Sequence, residues 1–150
     1  MDITLNEEQS LIAQTALEFA REHADPARVR ALETSEHGFD PQTWQRMAEL
    51  GWAAAALPEK HGGAGLGLVE LSLIIEALGQ ASLPSPLFAT VIEAGLLLAE
   101  AGSDIQASQW LPRVASGKAL LTVALLEAAG SLAPDAMVLR LAIQGDSLRL

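Results

Sequence analysis

Apolar residues recur at intervals of three or four along most of the chain before Gly117, the period of an amphipathic helix. Ile12, Ala16 and Phe19 keep this spacing after Thr4 and Glu7, which stand three apart as in a capping box, so a first helix is expected over about residues 5–24. Pro26 breaks it. A charged, weakly apolar stretch then reaches His37, and Gly38 precedes Asp40-Pro41, where the aspartate caps a helix and the proline fills its first turn. That helix covers residues 41–50 and Gly51 closes it. Leu71, Ile74, Ile75 and Leu78 resume helical spacing as far as Gly79, after which Leu83-Pro84-Ser85-Pro86 imposes an extended turn. The most apolar stretch, residues 87–101, reads as a buried helix closed by Gly102. Ser103 and Gln106 form a second capping pair, opening a short helix through Trp110 that Pro112 kinks before Gly117.

Two segments break the helical pattern. Leu57-Pro58-Glu59-Lys60-His61-Gly62-Gly63-Ala64-Gly65-Leu66-Gly67 packs four glycines and a proline into one run, which no regular element tolerates, so it is a loop. After Gly117 the character changes: residues 120–126 form a compact run with Thr122 and Val123, residues 138–143 alternate around Arg140, and Gln144-Gly145-Asp146-Ser147 suits a hairpin turn. The expected fold is mainly α, an up-and-down helical domain over residues 1–117 followed by the first strands of a β domain over 118–150. Strands so few leave unpaired edges and an uncovered face. The chain therefore reads as a fragment or truncated relative of something longer, α+β overall if so.

Composition narrows the class. A chain of 150 residues with 50% hydrophobic and 19% charged positions has the make-up of a single folded domain. Without cysteine it has no disulfide scaffold, thiolate metal site or cysteine nucleophile. A formal charge of -10 repels a phosphate backbone, which argues against nucleic acid as a partner. Residues 87–101 are interrupted by Thr90, Glu93 and Glu100 and fall short of the roughly 20 residues of a bilayer-spanning helix, so no membrane is expected. The start, Met1-Asp2-Ile3-Thr4-Leu5, lacks a basic stretch followed by an apolar one, and a cytoplasmic protein is expected.

The isolated chemistry-bearing residues suggest little on their own. His23, His37 and His61 lack partners at metal-ligand spacing and read as surface histidines, so no metal is expected. Gly62-Gly63-Ala64-Gly65 lacks the Gly-Lys-Ser/Thr ending of a phosphate loop and reads as a tight backbone turn. Trp44, Trp52 and Trp110 read as packing residues. Glu93 either faces a pocket or belongs to a wet helix face with Thr90, Leu97 and Glu100. Glu127 reads as a structural hydrogen-bond acceptor rather than a catalytic carboxylate.

Several short motifs nevertheless stand in a telling order. They are Thr4-Leu5-Asn6-Glu7-Glu8-Gln9, Glu49-Leu50-Gly51-Trp52, the loop from Leu57 with Gly65-Leu66-Gly67, and Glu76-Ala77-Leu78-Gly79. Gly102-Ser103-Asp104, Trp110-Leu111-Pro112-Arg113 and Ala115-Ser116-Gly117-Lys118 follow. In this order and spacing the chain resembles the acyl-CoA dehydrogenase family over almost its whole length. The resemblance implies a helical domain that supplies one wall of an acyl pocket, here Leu87, Thr90, Val91 and Ala94, and a following β domain that holds FAD. A tryptophan at Val91 should then shift the preferred acyl length. The family's flavin motif falls at Leu125, Leu126, Glu127, Gly130 and Ser131, with Leu126 where the motif has threonine, Ala128 where it has proline and Leu132 where it has aspartate.

The implied reaction is α,β-dehydrogenation of an acyl-CoA thioester with hydride transfer to FAD. The catalytic base is expected outside residues 1–150, so no catalytic residue is assigned. The resemblance also implies a homo- or hetero-oligomer, dimer or tetramer, and an electron-accepting flavoprotein as partner. The altered Leu126-Glu127-Ala128 motif favours an alternative, a flavin-poor, non-catalytic partner subunit of a heteromeric dehydrogenase. A purely helical interaction module would leave the trailing strands unexplained.

Overall fold

The computed structural model of the chain describes residues 4–127, 130, 133, 135, 138–140, 142–145 and 147–149. It is mainly α-helical, with helices α1 (Glu7–His23), α2 (Pro26–Leu32), α3 (Pro41–Glu49), α4 (Leu68–Gln80), α5 (Leu96–Ala101) and α6 (Asp104–Ala115). A 3-10 turn, Glu59–His61, lies inside the glycine-rich loop, and a π-helix, Phe88–Gly95, runs directly into α5. One continuous core gathers residues from all the long helices, with Met47, Leu57, Leu71, Leu87, Leu111 and Val114 wholly enclosed. Full burial of each such leucine contributes roughly 2 kcal/mol. No helix among the described residues is long and apolar enough to cross a membrane.

Capping chemistry explains where the helices start. The α1 cap is Asn6 rather than Thr4: its side chain accepts the Gln9 N–H at 2.8 Å, while Gln9 Oε1 accepts the Asn6 N–H at 3.1 Å. Asparagine is a stronger cap than threonine, and the shift puts Glu7 and Glu8 at the positive end of the helix dipole. Gln9 also donates to the Glu70 carboxylate at 2.8 Å, tying the starts of α1 and α4 together. Asp40 caps α3 as its Asp-Pro sequence predicts. The same pairing at Asp25-Pro26 opens α2, a helix the weak apolar pattern of that stretch conceals. Ser103 and Gln106 form the expected capping box on α6.

Helix ends follow a second rule. Gly51 adopts the left-handed region at φ +80°, and with Gly51 N–H bonded to Ala48 O and Trp52 N–H to Met47 O it closes α3. α4 runs through Gly79 instead of stopping there, because Ser82 takes the left-handed position at φ +54°. α6 continues past Pro112 to Ala115, longer than its proline suggests, and Gly117 closes it.

The loop folds back on its own backbone. Gly63 N–H reaches Pro58 O, Ala64 N–H reaches Ala54 O, and Leu66 N–H reaches Ala55 O. The crossing is so close that a Cβ at Gly63 would lie 1.9 Å from the Leu57 carbonyl oxygen. His61 is consequently buried, and so is His23, which stacks on Phe19 at 4.1 Å; only His37 of the three is a surface residue. Both buried histidines correct the surface expectation: His23 lies against Phe19 of its own helix, and His61 sits in the folded-back loop. Trp44 and Trp52 are buried and Trp110 half-buried, in packing roles, with Phe19 meeting Trp52 edge-on.

The strand expectation divides. Ala142–Gln144 (β1) and Ser147–Arg149 (β2) pair antiparallel, with Ile143 opposite Leu148. Residues 120–126, however, join no sheet among the described residues, and neither do residues 138–140. Strand composition supplies a preference; a ladder needs a neighbouring strand, and among the described residues none lies beside this run.

Candidate functional site

The helix after Pro86 differs from the sequence expectation in a way that shapes the site. Its first two turns are π-helical, shown by the Leu96 N–H reaching back five residues to Val91 O. Bonds of this reach widen each turn beyond the 3.6 residues of an α-helix, so positions that α-periodicity aligns drift apart. Thr90 thereby turns into the core, whereas Glu93, Leu97 and Glu100 stay exposed. Glu93 sits on the wet face, and the proposed shared face with Thr90 does not exist.

An open cleft of about 490 Å³ lies between this helix and the chain that leaves the helical unit. Ala94, Leu97, Leu98 and Ala101 form one wall, Gly102 and Gln106 the end, and Thr122, Val123 and Ala124 the opposite wall. The helical wall is aliphatic, which suits a hydrocarbon group. Gly102 brings the chain close behind it: a Cβ there would lie 2.4 Å from Leu98 O. Of the four residues expected to face an acyl group, Ala94 lines this cleft. Leu87, Thr90 and Val91 lie beneath it in the core. Leu97, Leu98 and Ala101 were legible as the continuation of the Ala94 stripe at helical spacing.

Thr90 is 1% exposed, and its hydroxyl donates to Leu121 O at 3.1 Å and accepts the Leu121 N–H at 3.3 Å. From Leu121 the chain passes along the cleft to Leu125 and Leu126, both largely exposed. The backbone N–H groups of residues 122–126 have no partner among the described residues. Glu127 is engaged structurally, its two carboxylate oxygens accepting the N–H groups of Val138 at 2.8 Å and Leu139 at 3.0 Å. The Gly130 N–H bonds to Glu127 O, and open space surrounds the Gly130 Cα at φ +65°. Ser131, with Ala128, Ala129 and Leu132, lies outside the described residues.

Away from the cleft, the α3 cap forms a polar cluster. The Thr43 hydroxyl donates to Asp40 at 2.6 Å and holds its carboxyl below the usual aspartate range; backbone N–H bonds and the Arg28 ion pair assist, and partial burial opposes. Among the described residues no group of His, Asp and Glu is arranged to hold a metal ion.

Residues 6–118 match the family described as "Acyl-CoA dehydrogenase, N-terminal domain". The chain is 38% identical over 119 residues to "Acyl-CoA dehydrogenase IpdE2" of Mycobacterium tuberculosis, covering 79% of this chain and 36% of that protein. It thus spans about a third of that relative's length. Among solved structures it resembles a variant of the "Tcur3481-Tcur3483 steroid ACAD", with 42% identity, TM-score 0.74, and coverage of 81% of this chain and 33% of that one. It also resembles a chain of the "ChsE4-ChsE5 complex from Mycobacterium tuberculosis", with 28% identity, TM-score 0.87, and coverage of 99% and 40%.

Proposed function

The chain belongs to the acyl-CoA dehydrogenase family, and we propose that it is the N-terminal part of a flavoprotein that desaturates an acyl-CoA thioester at the α,β bond. The observation that carries this reading is the continuity of the aliphatic cleft with the flavin-motif segment: one extended chain forms the cleft wall at 122–124 and supplies Leu125 and Leu126 immediately beyond it. On this reading the domain boundary falls near residue 117, and the protein works in the cytoplasm.

The open backbone of residues 122–126 suits a flat heterocycle that needs N–H and C=O partners along one edge, and the exposed Leu125 and Leu126 side chains offer it apolar contact. These residues would hold FAD, with Gly130 giving close backbone access and Ser131 completing the motif. Bound FAD supplies the acceptor for the hydride leaving the β carbon. Ala94, Leu97, Leu98 and Ala101 would seat the acyl group and exclude water, while Leu87, Thr90 and Val91 support that wall from behind. Glu127 fixes the loop by its bonds to Val138 and Leu139 and leaves proton removal to a carboxylate outside residues 1–150. The small side chains at positions 94 and 101 leave room for a broad acyl group, in keeping with the word steroid in the name of the 42% identical structure. An electron-accepting flavoprotein would reoxidise the enzyme.

A second reading has a specific observation in its favour. Leu126 carries no hydroxyl where the family's flavin motif has one, and a chain of a two-protein complex is among the structural neighbours. A flavin-poor subunit that completes a heteromeric dehydrogenase fits both facts. The deciding experiment is flavin stoichiometry in the complete gene product, purified alone and with any co-purifying chain. Flavin bound to this chain supports the enzyme; flavin found only on a partner supports the subunit.

A further inference from the structure

We propose that Thr90 is a positioning residue of the cleft, setting through Leu121 the register of the wall at residues 122–124 and the point at which Leu125 emerges. This rests on the acyl-CoA reading above and adds to it a residue that touches no ligand. The Thr90 hydroxyl lies in the core at 1% exposure and is committed to one residue, donating to the Leu121 carbonyl at 3.1 Å and accepting its N–H at 3.3 Å. One hydroxyl thus serves both backbone groups of Leu121.

Leu121 and Val123 are half-buried, whereas Leu120, Thr122 and Ala124 are exposed. A slip of one residue would move Thr122, Val123 and Ala124 out of their places and present a different wall to the cleft. Among the described residues, Leu121 is the one position of residues 120–126 whose backbone N–H and C=O are both held, and Thr90 holds them. The π-helix is what makes the contact available, by turning Thr90 inward while Leu97 remains on the cleft. Valine matches threonine in shape and removes both bonds; serine keeps both bonds and removes only a methyl group.

The test compares wild type, Thr90→Val and Thr90→Ser in the complete gene product, with any co-purifying chain. Hydrogen exchange at the Leu121 amide reads the anchor, and binding of S-alkyl-CoA thioethers of several chain lengths, which cannot be oxidised as thioesters are, reads the cleft. Thr90→Val should speed Leu121 exchange and weaken thioether binding, each by about tenfold, while Thr90→Ser stays within about twofold of wild type on both. A valine variant equal to wild type in both measurements overturns the proposal. If Thr90→Val does not fold, the serine variant decides: unchanged Leu121 exchange supports the anchor, and exchange accelerated tenfold despite the retained hydroxyl overturns it. A wild type that binds no thioether overturns the acyl-CoA reading and the role in the cleft with it, whereas normal Leu121 exchange in Thr90→Val overturns the anchor alone.

Discussion

The indole N–H of Trp44 donates to the Gly117 carbonyl at 2.9 Å, joining α3 to the turn at which the chain leaves the helical unit, 73 positions further on. Gly117 is left-handed at φ +70°, and a Cβ there would lie 2.5 Å from the Ala48 Cβ. The turn therefore docks only because it is glycine. Trp44→Phe should cost about 1 kcal/mol through the lost hydrogen bond. Gly117→Ala should cost more, about 2–3 kcal/mol, because strain and overlap coincide. Denaturant unfolding ranks the two; an alanine variant as stable as wild type would contradict the docking.

Ser82 occupies a backbone conformation that suits glycine. It is exposed, at φ +54°, and the turn it makes is completed by Ser82 N–H to Gly79 O and Leu83 N–H to Leu78 O. Ser82→Gly should relieve left-handed strain and stabilise the protein by up to about 1 kcal/mol. A lower unfolding midpoint in the glycine variant would show that strain does not govern this position.

Acid should weaken the α3 cap. The Thr43 hydroxyl is the largest influence holding the Asp40 carboxyl below its ordinary range, despite partial burial. A carboxyl with a lower value in the folded state than in the unfolded one stabilises fully above the unfolded value, and this stability disappears as pH falls through the folded value. The affected window thus lies below about pH 4. Thr43→Val should raise the Asp40 midpoint in a carbon-detected NMR titration and move acid unfolding to higher pH. An unmoved Asp40 midpoint would remove Thr43 as the cause.

Acyl selectivity should respond at Leu97 rather than Val91. Val91 is wholly enclosed, so a tryptophan there overpacks the core, at roughly 1–3 kcal/mol or more, before it reads any substrate. Leu97 is half-exposed on the cleft wall. Leu97→Trp should lower kcat/KM for broad or long acyl groups by about tenfold relative to short ones, with little loss of stability. Equal effects across acyl sizes would place the acyl group elsewhere.

Local chemistry made much of this fold legible and long-range contacts hid the rest. Asp40-Pro41, Ser103 with Gln106, Gly51 and Gly117 act within a turn of themselves, and each is where its pattern puts it. Asp25-Pro26 carries the same signal as Asp40-Pro41 and was masked by the absence of an apolar stripe. The π-helix evades a search tuned to α-periodicity, which is why Thr90 reads as a pocket residue in sequence and is a buried anchor in the fold. Burial of His23 and His61 carries no signature in the local spacing of either residue. In the cleft, Ala94 was legible from the apolar stripe; the wall at residues 122–124 was not, because it follows Leu121, whose partner is a hydroxyl 31 positions upstream.

On the proposed reading, this chain helps form a flavin-dependent acyl-CoA desaturating site. The direct measurement is the visible absorption spectrum of the complete gene product, with any co-purifying chain, before and after anaerobic addition of mixed acyl-CoAs including one with a polycyclic acyl group. Flavin bands that bleach on addition are the predicted result. A preparation that stays colourless, or whose flavin bands do not change with any acyl-CoA, would contradict it.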